Sequence, residues 1–326
     1  MYTNIQHTNP CKYNKIKQTT TSITMSELVP QTDVDASNVI DAQQQPEKAS
    51  KNILVAVDGS RVSRKAMATA ATLCHQQNNN LIVYHIWNPR KKGIPGYFSP
   101  EYLEIEFENT CYEAGLKMSQ FEIIIESRGE DETIAGMILE KVEDVEADLL
   151  CLGAFGRKGP SVWASGSNAQ HSLRRCPITI LTAKPNSDVV LGDNSAIYMV
   201  GHDGSSRAQK ALDYVKQYAK PQDQVLVVNI LDEWAQAKGF QVEKLLEECK
   251  VEMQNAGMQN GDARYYLRDR KIQIGRQLLN IAADIGATYI VVGLDGMEAL
   301  KRGKEILGSV SDFIVSKARC TTVVAR

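Results

Sequence analysis

Gly153, Gly156, Gly166 and Ser167 punctuate the stretch GAFGRKGPSVWASGS, which follows directly on the apolar run DLLCL. Lacking a Cβ, glycine lets backbone amides approach a ligand closely. Gly166-Ser167 opens a helical pattern through SNAQHSLRR. A helix start carries unpaired N–H groups and a partial positive charge, both suited to phosphate oxygens. Ser167 adds a hydroxyl donor, and Arg157 and Lys158 add mobile positive charge near the same loop. Asp58, which closes the apolar run ILVAV, offers an acceptor for ribose hydroxyls or for a ligand-bound metal. Together these residues describe a nucleotide phosphate cradle. Without a ligand, the same glycines serve as tight turns and Ser167 as a helix N-cap.

The elements that must position these residues occur twice. NILVAVDGS (52–60) returns as AIYMVGHDGS (196–205), so Asp58-Gly59-Ser60 repeats as Asp203-Gly204-Ser205. LIVYHIW is matched by VLVVNIL, FEIIIES by ARYYLRD, DLLCLGAFG by TYIVVGLDG, and the closing strand PITILTA by TTVVA. Between the strands, Ile134, Met137, Ile138, Val142 and Val145 form one helical stripe, and Val242, Leu245, Leu246, Cys249 and Met253 another. Strands that are apolar on successive residues are covered on both faces. Joined by amphipathic helices, they define two tandem doubly wound parallel-sheet domains of the α/β class. The boundaries expected are a disordered extension over 1–50, domains over 51–184 and 196–326, and a polar linker over 185–195. Ligands of such sheets sit beyond the carboxyl ends of the strands, where the strand order reverses.

The spacing Gly-x2-Gly-x9-Gly-Ser after the fourth strand, with an Asp ending the first, resembles the ATP-binding universal stress protein family. The resemblance covers both halves, about residues 52–326, and implies a Rossmann-like fold that binds ATP with Mg2+. It implies that Asp58 contacts ribose or phosphate and that backbone near Val57 and Ile86 frames the adenine. Gly153, Gly156, Gly166, Ser167 and Asn168 would line the ribose and triphosphate. In the second half Asp203, Gly293, Gly296, Gly308 and Ser309 correspond, but eleven residues, not nine, separate Gly296 from Gly308. Asp295, Glu298 and Glu305 in that loop face phosphate unfavourably unless Lys301, Arg302 and Lys304 offset them, so a competent first site and an altered second one are expected. The implied function is a nucleotide-dependent sensor or regulator in stress response. The alternatives are a slow Mg-dependent ATPase using the same loop, and a nucleotide-free dimerising interaction protein. The last strands of the two halves, PITILTA and TTVVA, offer edges for pairing within one chain, and a homodimer is the other arrangement.

A formal net charge of -2 favours neither nucleic acid nor an anionic membrane as a partner. No apolar run approaches the ~18 residues that span a bilayer. Seven cysteines without a CxxC pair suggest neither a disulfide framework nor a zinc site, and Cys74, Cys151 and Cys176 read as core residues. The first 24 residues are basic, Thr-rich and free of Asp and Glu, as mitochondrial targeting peptides are, yet they lack Arg. Cytoplasm is the default. No P-loop GxxxxGK[ST] occurs. Lys117-Met118-Ser119 matches a synthetase tripeptide only by chance, and Met118 is expected to pack at a helix end. His85 reads as a satisfied core residue, and His202 stands beside Asp203. Trp87 and Trp234 read as packing residues, while Trp163 falls in the phosphate loop.

Overall fold

Ile53, Leu54 and Val55 are successive residues of one strand, point to opposite faces, and are all fully shielded from solvent. Their sheet must therefore carry helices on both sides. The computed structural model describes residues 50–93, 95–157, 159, 166–190, 194–232, 241–295 and 307–326. The expected N-terminal extension, apart from Ser50, lies outside them. So do Lys158, Trp163, Trp234, Gly296, Glu298, Lys301, Arg302, Lys304 and Glu305.

The first half contains β1 (Asn52–Val57), α1 (Arg61–Gln77), β2 (Asn80–Trp87), α2 (Pro100–Glu113), β3 (Phe121–Ser127), α3 (Ile134–Asp144), β4 (Leu149–Gly153), α4 (Ser167–Arg175) and β5 (Thr179–Ala183). The second contains β6 (Ile197–Gly201), α5 (Ser206–Tyr218), β7 (Gln224–Leu231), α6 (Val242–Asn255), β8 (Gly261–Leu267), α7 (Ile274–Asp284), β9 (Tyr289–Gly293), α8 (Ser309–Lys317) and β10 (Thr321–Ala325). All ten strands form one sheet, ordered β3-β2-β1-β4-β5-β10-β9-β6-β7-β8. Neighbours run parallel except β5 and β10, which pair antiparallel with Leu181 opposite Val323. PITILTA and TTVVA thus join the two halves edge to edge.

The core forms two layers. One packs α1, α2, α5 and α6 on the sheet through Met67, Phe107, Leu212 and Leu246. The other packs α3, α4, α7 and α8 through Val142, Leu173, Ile281 and Ile314. Cys74, Cys151 and Cys176 are buried, and burial raises their thiol pKa values. Helix starts follow local chemistry: Ser60 and Ser205 cap α1 and α5 by accepting from Ser63 N and Ala208 N. Among the described residues no helix is long and apolar enough to cross a membrane. Met118 departs from expectation. It lies in a 3-10 turn, 76% exposed, because Leu116 two residues earlier takes the buried position behind α2.

Across the seam each half holds the tail of a helix in the other. Lys184, just past β5, donates from Nζ to the Val315 carbonyl in the last turn of α8. Arg326, just past β10, donates from its guanidinium to the Leu173 carbonyl in the last turn of α4. A cation there also complements the negative end of the helix dipole. Burial pushes the Lys184 ammonium pKa down to about 8. A lysine whose folded pKa lies below its unfolded value binds fewer protons when folded, so stability rises as pH climbs from about 8 through the ordinary lysine range. Relative to Lys184→Met, wild-type unfolding free energy is expected to gain about 2 kcal/mol between about pH 7 and about pH 9.5, as read from urea denaturation.

Candidate functional site

In the sheet order, β1 is flanked by β2 on one side and β4 on the other. The strand order therefore reverses between β1 and β4, which run parallel, and the crevice beyond their carboxyl ends is the switch point of the first half. Asp58 stands immediately after β1, and the glycine loop leaves β4 beside it.

The loop is tied to Asp58. Oδ1 accepts from Ser60 N at 3.0 Å and Oδ2 from Arg157 N at 2.9 Å. A carboxylate offers about four lone-pair positions, so capacity for further donors remains. Arg157 is not the mobile cation its sequence position suggested. Its Nε donates to the Asp58 carbonyl and its guanidinium lies 4.3 Å from the centre of the Phe98 ring. Phe98 and Leu103 in turn close over Gly59, whose φ of 75° and crowded Cβ position admit no larger residue.

The three loop glycines differ in what they are for. A Cβ on Gly153 would lie 2.9 Å from Ser63 N, so that glycine lets α1 pack against the end of β4. One on Gly156 would lie 2.7 Å from Asp58 Oδ2, so that glycine admits the carboxylate. Gly166 has neither reason: among the described residues its nearest contact would be an ordinary 3.4 Å to the Ala154 carbonyl. Gly166 is also the N-cap of α4, and among the described residues no side chain caps that helix. Ser167 is the first helical residue and exposed, not the cap. Asn168 follows it, half-buried.

Val57 ends β1 and Ile86 lies one residue before the end of β2, with their side chains in the cores on opposite faces of the sheet. The Val57 carbonyl accepts from His85 Nδ1 at 2.7 Å, and Ile86 packs partly buried on the α3 and α4 side of the sheet. Because a carbonyl only accepts, His85 carries its proton on Nδ1, and burial lowers its pKa. Among the described residues its Nε2 finds no hydrogen-bond partner, so there His85 is a core residue satisfied on one side. Past β2, Trp87, Lys91, Phe98 and Glu101 line an open cleft of about 350 Å³, so Trp87 borders a cavity as well as packing.

The second half repeats this frame and alters the centre. Asp203 Oδ1 accepts from Ser205 N at 3.0 Å, and Gly293 lets α5 pack as Gly153 lets α1. Asn229 Nδ2 donates to the His202 carbonyl at 2.8 Å, the place His85 takes below Val57. His202 is buried and turned inward, with Nδ1 accepting from Gly204 N and Nε2 at 3.4 Å from Gln209 Oε1. Where the first loop has Phe155, the second has Asp295, buried with Arg207 Nε 3.8 Å away. Gly308 precedes α8 with no side-chain cap among the described residues, and Ser309 is exposed. A Cβ on Gly308 would lie 3.1 Å from Asp295 Cα, so internal packing explains this glycine better than it does Gly166.

Phe98, Leu103 and the Arg157 anchor were not among the expected site residues. The only signal for them was an aromatic in PGYF shortly after the second strand, which nothing in sequence ties to Asp58.

Fold and site together define a doubly wound α/β protein with a glycine-rich loop at its switch point. The sequence profile described as the Universal stress protein family matches residues 49–184 and again 197–326. A Staphylococcus epidermidis protein assigned to the universal stress proteins is 32% identical over 141 residues, covering 39% of this chain and 82% of its own length. The crystal structure of a universal stress protein from Archaeoglobus fulgidus is similar at a TM-score of 0.57 and 18% identity, covering 84% of this chain and 96% of that one. A Pseudomonas aeruginosa structure assigned to the same proteins matches at a TM-score of 0.57 and 12% identity, covering 86% and 95%. The chain belongs to the universal stress protein family, with two copies in tandem.

The glycine assignments carry a stability expectation. Gly153→Ala drives a methyl into α1 backbone and is expected to cost about 1–3 kcal/mol in urea unfolding. Gly166→Ser has room and supplies a helix cap, so it is expected to stay within about 0.5 kcal/mol of wild type.

Proposed function

We propose that the first half binds ATP with Mg2+ at the β1/β4 switch point, and that occupancy sets the protein's conformation or partner choice in a stress response. The observation that carries this reading is Gly166. It is a glycine with ordinary backbone and, among the described residues, spare room and no side-chain cap at the start of its helix, packed against the Ala154–Gly156 backbone of the loop whose Arg157 amide meets Asp58. A phosphate oxygen approaching the first-turn amides of α4 accounts for both features. Ser167 adds its hydroxyl, Asn168 a second polar group, and Gly153 and Gly156 set the loop's path. Asp58 faces the ribose with its remaining lone pairs, and backbone near Val57 and Ile86 frames the adenine. Mg2+ takes hard oxygen ligands and enters with the triphosphate, with Asp58 beside it. We read the halves as units over 51–184 and 196–326, joined by residues 185–195.

The reading is binding, with one nucleotide per chain. In the second half, Asp295 sets a buried carboxylate against the loop that leads to α8. That carboxylate and the Arg207 drawn to it take up room and polarity where the first half has Phe155 and Val62, so we read Asp203, Gly293, Gly308 and Ser309, with Gly296 at the corresponding sequence position, as a weaker site.

Denaturing the purified protein and identifying released nucleotide by chromatography and mass spectrometry tests this. About one adenine nucleotide per chain is expected, and Gly166→Ser, which keeps the fold, is expected to lose it. ATP with Mg2+ at about a hundredfold above Kd should stabilise the wild type by about 2.7 kcal/mol and the variant far less. Two nucleotides per chain would make the second half competent. No nucleotide, and no heat on titrating ATP with Mg2+, would overturn the reading.

A further inference from the structure

Helix α2 buries Leu103, Phe107 and Cys111 against the sheet, yet its outer side is not polar. Tyr102, Ile105 and Tyr112 recur at helical spacing on one outward stripe and are 51%, 61% and 49% exposed. Tyr97, in the turn just before the helix, is exposed as well. Single exposed apolar residues are ordinary, but a stripe along one helix is not. Its flanks are acidic. Glu101, Glu104 and Glu108 border it on one side and Glu106 and Glu113 on the other, and no Lys or Arg falls within residues 100–113. Among the described residues only Glu106 of these is drawn into an ion pair, with Arg64.

We propose that the outer face of α2 is the docking surface for a basic amphipathic helix of a partner protein. Apolar anchors at helical spacing are what a helix laid along another helix reads. Tyrosine is enriched where interfaces form, because it brings large area and a polar tip. The flanking glutamates select Lys and Arg on the partner's edges and steer its approach. The same charges argue against the other occupants. A second copy laid on this face would set glutamates against glutamates, and an anionic lipid surface would be repelled. The face also adjoins the crevice: the Tyr97 ring lies 4.6 Å from the Phe98 ring, and Phe98 covers Gly59 and Arg157. The proposal does not depend on nucleotide binding.

The test uses the full chain and synthetic peptides about 18 residues long, long enough to hold a helix when bound. One has leucines on one face and lysines on the other, a twin has glutamates in place of lysines, and a third has the lysine composition in scrambled order. Fluorescence anisotropy at about 0.15 M salt is expected to show saturable binding of the first alone. Ile105→Glu is expected to weaken that binding at least about tenfold although it adds a negative charge. Glu104→Lys with Glu108→Lys should shift preference toward the glutamate twin. Circular dichroism establishes that both variants are folded. Equal binding of the scrambled peptide, or unchanged or tighter binding by Ile105→Glu, would reduce the face to a diffuse electrostatic surface and overturn the proposal. A wild-type dimer in sedimentation that Ile105→Glu dissociates, without peptide binding, would replace the partner with a second copy. Co-sedimentation with phosphatidylcholine vesicles that Ile105→Glu abolishes would replace it with a membrane.

Discussion

The antiparallel pairing of β5 with β10 is the contact on which the rest of the architecture rests. A five-stranded half ending at β5 would present an apolar strand with unpaired N–H and C=O groups, a template for aggregation. Here the matching strand of the second half supplies the missing ladder, through Ile180 opposite Val324 and Thr182 opposite Thr322. The outer edges then fall to β3 and β8, whose exposed Glu122, Arg264 and Tyr265 suit solvent. The seam also lets Lys184 and Arg326 reach across to the tails of α8 and α4. Both are helices that begin at a glycine-serine pair, so each loop's following helix is held at its far end by the opposite half.

Around this symmetric frame the two halves have diverged at a few positions. The Asp-Gly-Ser turn, its serine cap and the side chain bonded beneath it are kept, even where His85 gives way to Asn229. The change lies in the loop interior, where an aromatic at Phe155 corresponds to the carboxylate of Asp295 and an aliphatic at Val62 to Arg207. An apolar pair at this point of the first half is thereby replaced by an ion pair in the second.

Much of this was legible in the sequence because it rests on periodic signals. Apolar runs such as NILVAV and TYIVV marked strands covered on both faces, and the Ile134 to Val142 stripe marked α3. The repeat placed Asp58 and Asp203 at equivalent strand ends, and Gly166-Ser167 did open a helix. What escaped was chemistry set by long-range contact. Arg157 looked like a free cation because its anchors, the Asp58 carbonyl and the Phe98 ring, come from distant parts of the chain. Met118 looked like a packing residue because nothing local showed that Leu116 would fill the space. The separate reasons for three glycines appear only when each Cβ is placed among its neighbours.

The seam has an entropic side as well. Thr182 and Thr322 meet although they lie about 140 residues apart in the chain, and every other ladder joins strands within a single half. Loop-closure entropy grows only slowly with length, so this pairing costs little more to close than the β1–β4 ladder, whose partners already lie more than 90 residues apart. Once the halves meet, the effective concentration of one half for the other is set by their covalent connection, not by how much protein is present. The chain carries its own dimerisation partner at fixed stoichiometry, and dilution leaves the assembly intact.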